Sequence, residues 1–110
     1  MCTIIQADYL LACILSTEER IKVVDLRELR REIEKKCEDV VVDISSPSIN
    51  SALMRYPKVF HLQEDQIIRR DDSDKYLKTD YFDNVFCSSV PSKVHCRVKG
   101  LIAKAMPRRK

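Results

Sequence analysis

Hydrophobic and polar positions along the chain change period several times, and each change marks an element. Across residues 4–16, IIQADYLLACILS, Leu10, Cys13 and Ile14 share one helical face, with Ile5 and Tyr9 near it and Leu11 and Leu15 to the side. This predicts a first helix that is apolar around much of its circumference and buried on more than one side. Ser16–Arg20 is a polar break and Ile21–Val24 a short β-prone piece. Asp25 then offers an N-cap, with Glu28 three residues on to complete a capping box. Leu26, Leu29, Ile33 and Cys37 follow at i, i+3, i+7 and i+11, the stripe of an amphipathic second helix. Arg27, Arg31 and Lys35 form a basic row on another face, and Glu28 and Glu32 sit between, within i,i+3 and i,i+4 reach of Arg31, Lys35 and Lys36. The row reads as a solvated, salt-bridged surface, with a ligand-facing row as the alternative.

Glu38–Ile44, EDVVVDI, is β-branched at its centre and predicts a short strand or extended connector. Ser46-Pro47 opens a third helix, in which Ile49, Ala52, Leu53 and Tyr56 share a face, and Pro57 ends it. Val59–Leu62 and Ile67–Arg70 read as a hairpin about the turn Gln63–Gln66, with Phe60 and Leu62 inward and His61 outward. Asp71–Asp74 is a polar boundary. Beyond it, Leu77, Tyr81 and Val85, flanked by Tyr76, Phe82 and Phe86, fit either a fourth helix or an aromatic segment that orders on a partner. Lys93–Met106 is a basic amphipathic helix with Val94, Val98, Leu101 and Ala105 on one face, weakened by Gly100 and followed by Pro107-Arg108-Arg109-Lys110. The elements together predict a helix-rich α+β chain: a winged helix-turn-helix of three helices plus a small β-hairpin wing over residues 1–72, and a C-terminal helical extension over residues 73–110.

Charge sharpens that division. Residues 1–80 carry 13 Lys+Arg against 16 Asp+Glu, whereas residues 81–110 carry 7 against 1. The net charge of +3 therefore belongs to the end of the chain. Five cysteines, Cys2, Cys13, Cys37, Cys87 and Cys96, are odd in number and fit no disulfide framework. With no signal-peptide pattern, a reduced cytoplasmic or nuclear setting is expected. Tyr9–Leu15 is too short for a bilayer, so no membrane partner is expected.

Candidate chemistry is sparse. Gly100 is the single glycine, which excludes a phosphate-cradling loop or a dinucleotide fingerprint. His61 and His95 stand alone, and nothing marks a thiol as activated. Cys87, His95 and Cys96 lack zinc-ligand spacing, and Asp71, Asp72 and Asp74 lack the glycine and glutamate of a calcium loop. We therefore expect no enzyme, no cofactor and no metal.

The run Ile49…Leu53-Met54-Arg55-Tyr56-Pro57-Lys58-Val59-Phe60-His61-Leu62, then Gln66-Ile67-Ile68, resembles the end of a LOTUS (OST-HTH) domain and the related helix-turn-helix of Egalitarian-type proteins. The family usually has a glycine between its second and third helices, where this chain has Val40-Val41-Val42. The resemblance implies RNA biology, with binding to RNA or docking onto RNA-handling proteins such as DEAD-box helicases. Two functions compete. In the first, the module binds nucleic acid, RNA before DNA. Ser48, Asn50, Ser51, Arg55 and Lys58 would act from the third helix and its end, and His61, Arg69 and Arg70 from the wing. Lys93, Arg97, Lys104, Arg108, Arg109 and Lys110 would hold phosphates from the C-terminal segment. In the second, it is an adaptor for an RNA-handling or chromatin protein, with Tyr9, Leu11, Leu15, Tyr76, Tyr81, Phe82 and Phe86 as partner-facing positions. A homodimer is compatible with either.

Overall fold

The computed structural model describes residues 2–77, 80–87 and 90–105. The first departure from the periodicity comes at once. Thr3–Gln6 is a strand (β1), and the first helix (α1) spans only Ala7–Leu15. Ile4-Ile5 is compatible with either period, and its partner decides the matter. Val40–Asp43 (β3) pairs with β1 in parallel, from Thr3 opposite Val40 to Gln6 opposite Asp43. Ile5, Val40 and Val42 turn into the core, while Ile4 and Val41 face out side by side. The valines that stand in place of a glycine thus build a strand. The outer edge of β3 is covered, because Glu34 Oε2 accepts the Val42 N–H at 2.8 Å.

Arg20–Lys22 (β2), Phe60–Gln63 (β4) and Gln66–Arg69 (β5) form a second, antiparallel sheet in the order β2-β5-β4. Its hairpin closes in two residues, with Glu64 at φ 59° supplying the left-handed backbone that a glycine would otherwise provide. Phe60 is buried but Leu62, expected inward, is 44 % exposed. β4 is the edge strand, and burial along it stops at its first residue.

The second helix (α2) spans Val23–Lys36, starting before Asp25. Lys22 occupies the N-cap position and no side chain caps the helix, so the Asp25/Glu28 capping box does not form. The Val23 N–H instead donates to the Asp65 carbonyl of the hairpin turn at 2.9 Å. Leu26, Leu29, Ile33 and Cys37 are all buried. The observed ion pair on this helix is Arg30–Glu34 at 3.4 Å, not one from Glu28 or Glu32. The third helix (α3) spans Ser46–Arg55, with Ser45 at the N-cap position and Pro47 in the first turn.

α1 is the centre of the molecule. Ala7 and Tyr9–Leu15 are buried, and the helix touches α3, β1, β2 and the C-terminal elements. Tyr9, Leu11 and Leu15, expected to face a partner, are therefore core residues. Its ends are satisfied from elsewhere in the chain. The Ser48 hydroxyl accepts the Ala7 N–H at 3.2 Å, and the Arg69 guanidinium donates to the Leu15 carbonyl at 3.2 Å.

Of the two readings of the aromatic segment, its described residues are helical: Asp74–Leu77 (α4) is α-helical and Phe82–Phe86 is a π-helical turn. Leu77, Phe82 and Phe86 are buried in the same cluster as α1, so Phe82 and Phe86 are also inside and not partner-facing. Phe86 lies 4.7 Å from Tyr56 and 6.1 Å from Phe60, ring centre to ring centre. The last helix (α5) spans Ser92–Ala105 and buries Val94, Val98 and Ile102. Ala105, expected on that face, is exposed, and Leu101 is half-buried at its margin.

Candidate nucleic-acid interface

Outward-facing residues of β1, β3, α2 and α3 enclose an open groove of about 900 Å³. α2 supplies one wall, with Arg27 one turn before the adjacent Arg30 and Arg31. The opposite wall is the start of α3, through Ser45, Ser46, Ile49 and Asn50. Ile4 and Val41 form the floor, and Leu62 and Glu64 of the hairpin close one end. Arg27 and Arg31 make no ion pair among the described residues, whereas Arg30 Nε reaches Glu34 Oε1. Two carboxylates temper the three guanidiniums. Glu64 stands at the hairpin end, and Asp43 Oδ1 accepts from the Ser45 N–H at 3.2 Å and from its hydroxyl at 2.8 Å. The groove therefore combines a basic wall with an aliphatic floor.

The residues expected to contact nucleic acid do not form one cluster. Asn50 joins the groove. Ser51, Arg55, Lys58, His61 and Arg70 are exposed around it or beyond it. Ser48 has a different task, since its hydroxyl also lies 3.0 Å from the Asp43 carbonyl and 3.3 Å from Gln6 Oε1. It pins the start of α3 to β3 and to the start of α1. Arg69 is turned inward onto the last turn of α1. On α5, Lys93 and Lys104 are exposed, and Arg97 NH2 contacts both oxygens of Asp39 at 3.1 Å, tying α5 to the loop before β3. Arg108, Arg109 and Lys110 lie outside the described residues.

The wall of α2 is the row that periodicity reads as a solvated surface, with a ligand-facing role only as the alternative. Arg27 and Arg31 stand at i, i+4 in that basic row, but spacing offers Glu28 as a ready partner for Arg31 and Glu32 for Lys35 and Lys36. It cannot show that these carboxylates leave the row unpaired, nor that β3 and α3 face it across a groove.

A second cluster sits where α1 meets α5. The Tyr9 hydroxyl lies 2.6 Å from His95 Nδ1, with Cys87 Sγ at 3.9 Å from the same nitrogen. Burial raises the Tyr9 hydroxyl well above its usual range, and nearby Cys13 adds to the effect. Burial likewise pushes the Cys13 thiol up to about 12 and the Cys87 thiol up to about 11. His95 is lowered, first by burial and then by the Lys99 charge. At neutral pH both thiols are protonated, so the cluster is a neutral hydrogen-bonded plug between helices. Among the described residues no helix is long and apolar enough to cross a membrane.

No family model matches the chain, and no curated protein or solved structure matches it.

Proposed function

We propose that the chain is a winged helix-turn-helix module, LOTUS-like in its third helix and wing, that binds RNA through the groove between α2, β3 and α3. Two features support the fold assignment. The chain runs β1–α1–β2–α2–β3–α3–β4–β5, and with the added β1–β3 pair set aside this is the order of a winged helix. The sheet order β2-β5-β4 puts the strand after the first helix beside the hairpin. The α4–α5 segment is then an extension that seals the aromatic side of the core. The module is non-enzymatic in this reading and works in the cytoplasm or nucleus.

The observation that carries the reading is the arginine wall. Three guanidiniums on two adjacent turns, two of them without a carboxylate partner among the described residues, are suited to phosphate oxygens. The test is a titration of the full chain against labelled single-stranded RNA, double-stranded RNA and duplex DNA at two salt concentrations. The double variant Arg27→Ala, Arg31→Ala should weaken binding of every nucleic acid that the wild type binds. It should lower the slope of log K against log salt by about 1.4 for a single strand. Unchanged affinity in the variant would remove the groove from the reading and leave binding to α5 and the residues after it.

A second reading, an adaptor that docks onto an RNA-handling protein, is favoured by a different surface. Met54 on α3 is 81 % exposed, and Tyr81 and Val85 of the C-terminal segment are exposed too. Met54→Asp separates the two, because it should abolish capture of a protein partner while leaving the salt slope for RNA unaltered.

A further inference from the structure

The groove has more apolar floor than a phosphate-binding surface needs. Ile4 is 59 % exposed, Val41 43 % and Leu62 44 %. These side chains come from three separate strands. Ile4 and Val41 are register partners in the β1–β3 sheet and so point the same way. Leu62 reaches the groove from the hairpin. Strand alternation fixes the outward direction of Ile4 and Val41, since Ile5, Val40 and Val42 on the other face are buried. An aliphatic shelf held in place by two sheets, with Arg27 and Arg31 unpaired among the described residues on one side, is a feature that a folded monomer does not require.

The surface of a duplex does not match it. Double-stranded RNA presents phosphates and ribose hydroxyls outward and keeps its base faces stacked inside. Laid in this groove, a duplex would press polar atoms onto Ile4, Val41 and Leu62 without hydrogen-bond partners for them. An unpaired strand offers both chemistries at once, with phosphates toward the arginine wall and the apolar faces of bases toward the shelf. Resting on the nucleic-acid reading above, we infer that the groove takes an unpaired polynucleotide strand. Arg27 and Arg31 hold its phosphates, and its bases lie against Ile4, Val41 and Leu62. Contact with bases on an aliphatic floor reads no sequence, so the site binds unpaired segments with little preference among them. Asn50, on the opposite wall with Ser45 and Ser46, is a polar side chain that can meet a base edge.

The experiment uses the full chain and fluorescence anisotropy with five probes. They are a labelled oligouridine, the same RNA with abasic riboses at its central positions, a matched RNA duplex, an oligothymidine, and a polyglutamate peptide of equal charge. The intact RNA strand should bind roughly tenfold tighter than the abasic strand and than the duplex. The DNA strand should show the same gain over the duplex. The variant Val41→Ser, Leu62→Ser alters two exposed positions, and its circular dichroism spectrum checks that the fold is kept. It should bring intact and abasic strands to within about twofold of each other without altering the salt slope. Equal binding of intact and abasic strands by the wild type would overturn the shelf while leaving a phosphate-binding groove. Binding of polyglutamate as tight as that of RNA would overturn it in favour of an acidic protein partner. Failure of every nucleic acid to bind would overturn the nucleic-acid reading itself.

Discussion

Replacing Ser48 by alanine decides whether this serine belongs to the interface or to the frame. Its hydroxyl accepts the Ala7 N–H at 3.2 Å and lies 3.0 Å from the Asp43 carbonyl, so one oxygen joins the first turn of α1, the end of β3 and the first turn of α3. Gln6 at the N-cap position makes no capping bond of its own, and in the first turn Asp8 Oδ1 accepts the Tyr9 N–H at 2.7 Å. Losing a helix cap of this kind costs about 1 kcal/mol. Leaving a part-buried carbonyl without its donor adds a further cost of up to about 1 kcal/mol, discounted because water reaches the site. The total is about 1.5–2 kcal/mol, which for a chain of this size lowers Tm by about 6–10 °C. Thermal unfolding followed by circular dichroism measures that loss, and anisotropy with labelled RNA measures affinity below the transition. The frame role predicts a large Tm change and RNA affinity within twofold of wild type. A variant of unaltered Tm that binds RNA tenfold more weakly would refute the argument and return Ser48 to the interface.

Glu64→Gly should stabilise the chain by about 1 kcal/mol, because a left-handed backbone at φ 59° is unfavourable for glutamate. The same change removes a carboxylate from the end of the groove, so RNA affinity should rise with stability in one titration series. Ser73→Ala should leave stability unchanged or raise it by up to about 1 kcal/mol in urea unfolding, since the Ser73 hydroxyl is fully buried with no partner among the described residues. His95 sets a pH dependence. Its folded pKa lies below the ordinary 6.5, so the unfolded chain takes up the proton first as pH falls. Stability should be level above 6.5 and decline below it until the folded value is passed, and His95→Gln should flatten that part of a Tm–pH profile. An alkylating reagent should label exposed Cys2 and Cys96 well before buried Cys13 and Cys37, which mass spectrometry of digests would resolve.

Which parts of this architecture could be read from the sequence depends on whether one period or two fit a segment. The stripe Leu26, Leu29, Ile33, Cys37 admits one period only, and all four residues are buried. The close of α3 at Tyr56-Pro57 is equally local, because proline removes the α region from the residue before it. Residues 4–16 admitted two readings, and the choice between strand and helix for Ile4-Ile5 was made by Val40–Asp43, thirty-odd residues away. Leu62 failed for a similar reason. Alternation predicts which side of a strand a residue takes, but it does not say how far the core extends beneath an edge strand. The arginine wall is the sharpest case, since pairing of Arg27 and Arg31 is a question of rotamers and neighbours and not of spacing.

These long-range decisions share a physical consequence for the groove. α1 is buried against α3, β1, β2 and the C-terminal elements, so it has no apolar face left to offer. The α4–α5 segment and its aromatic rings close one flank, with Phe86 against Tyr56 and Phe60. On the other flank, β1 and β3 form a sheet only two strands wide, and Ile4 and Val41 on its outer face are exposed. That sheet spans the gap between α2 and α3 and turns Ile4 and Val41 outward as a direct result of turning Ile5 and Val42 inward. The same pairing that completes the core thus creates the floor of the groove. Substituting Ile5 or Val42 should therefore unfold the chain, whereas substituting Ile4 or Val41 should alter only what the groove holds.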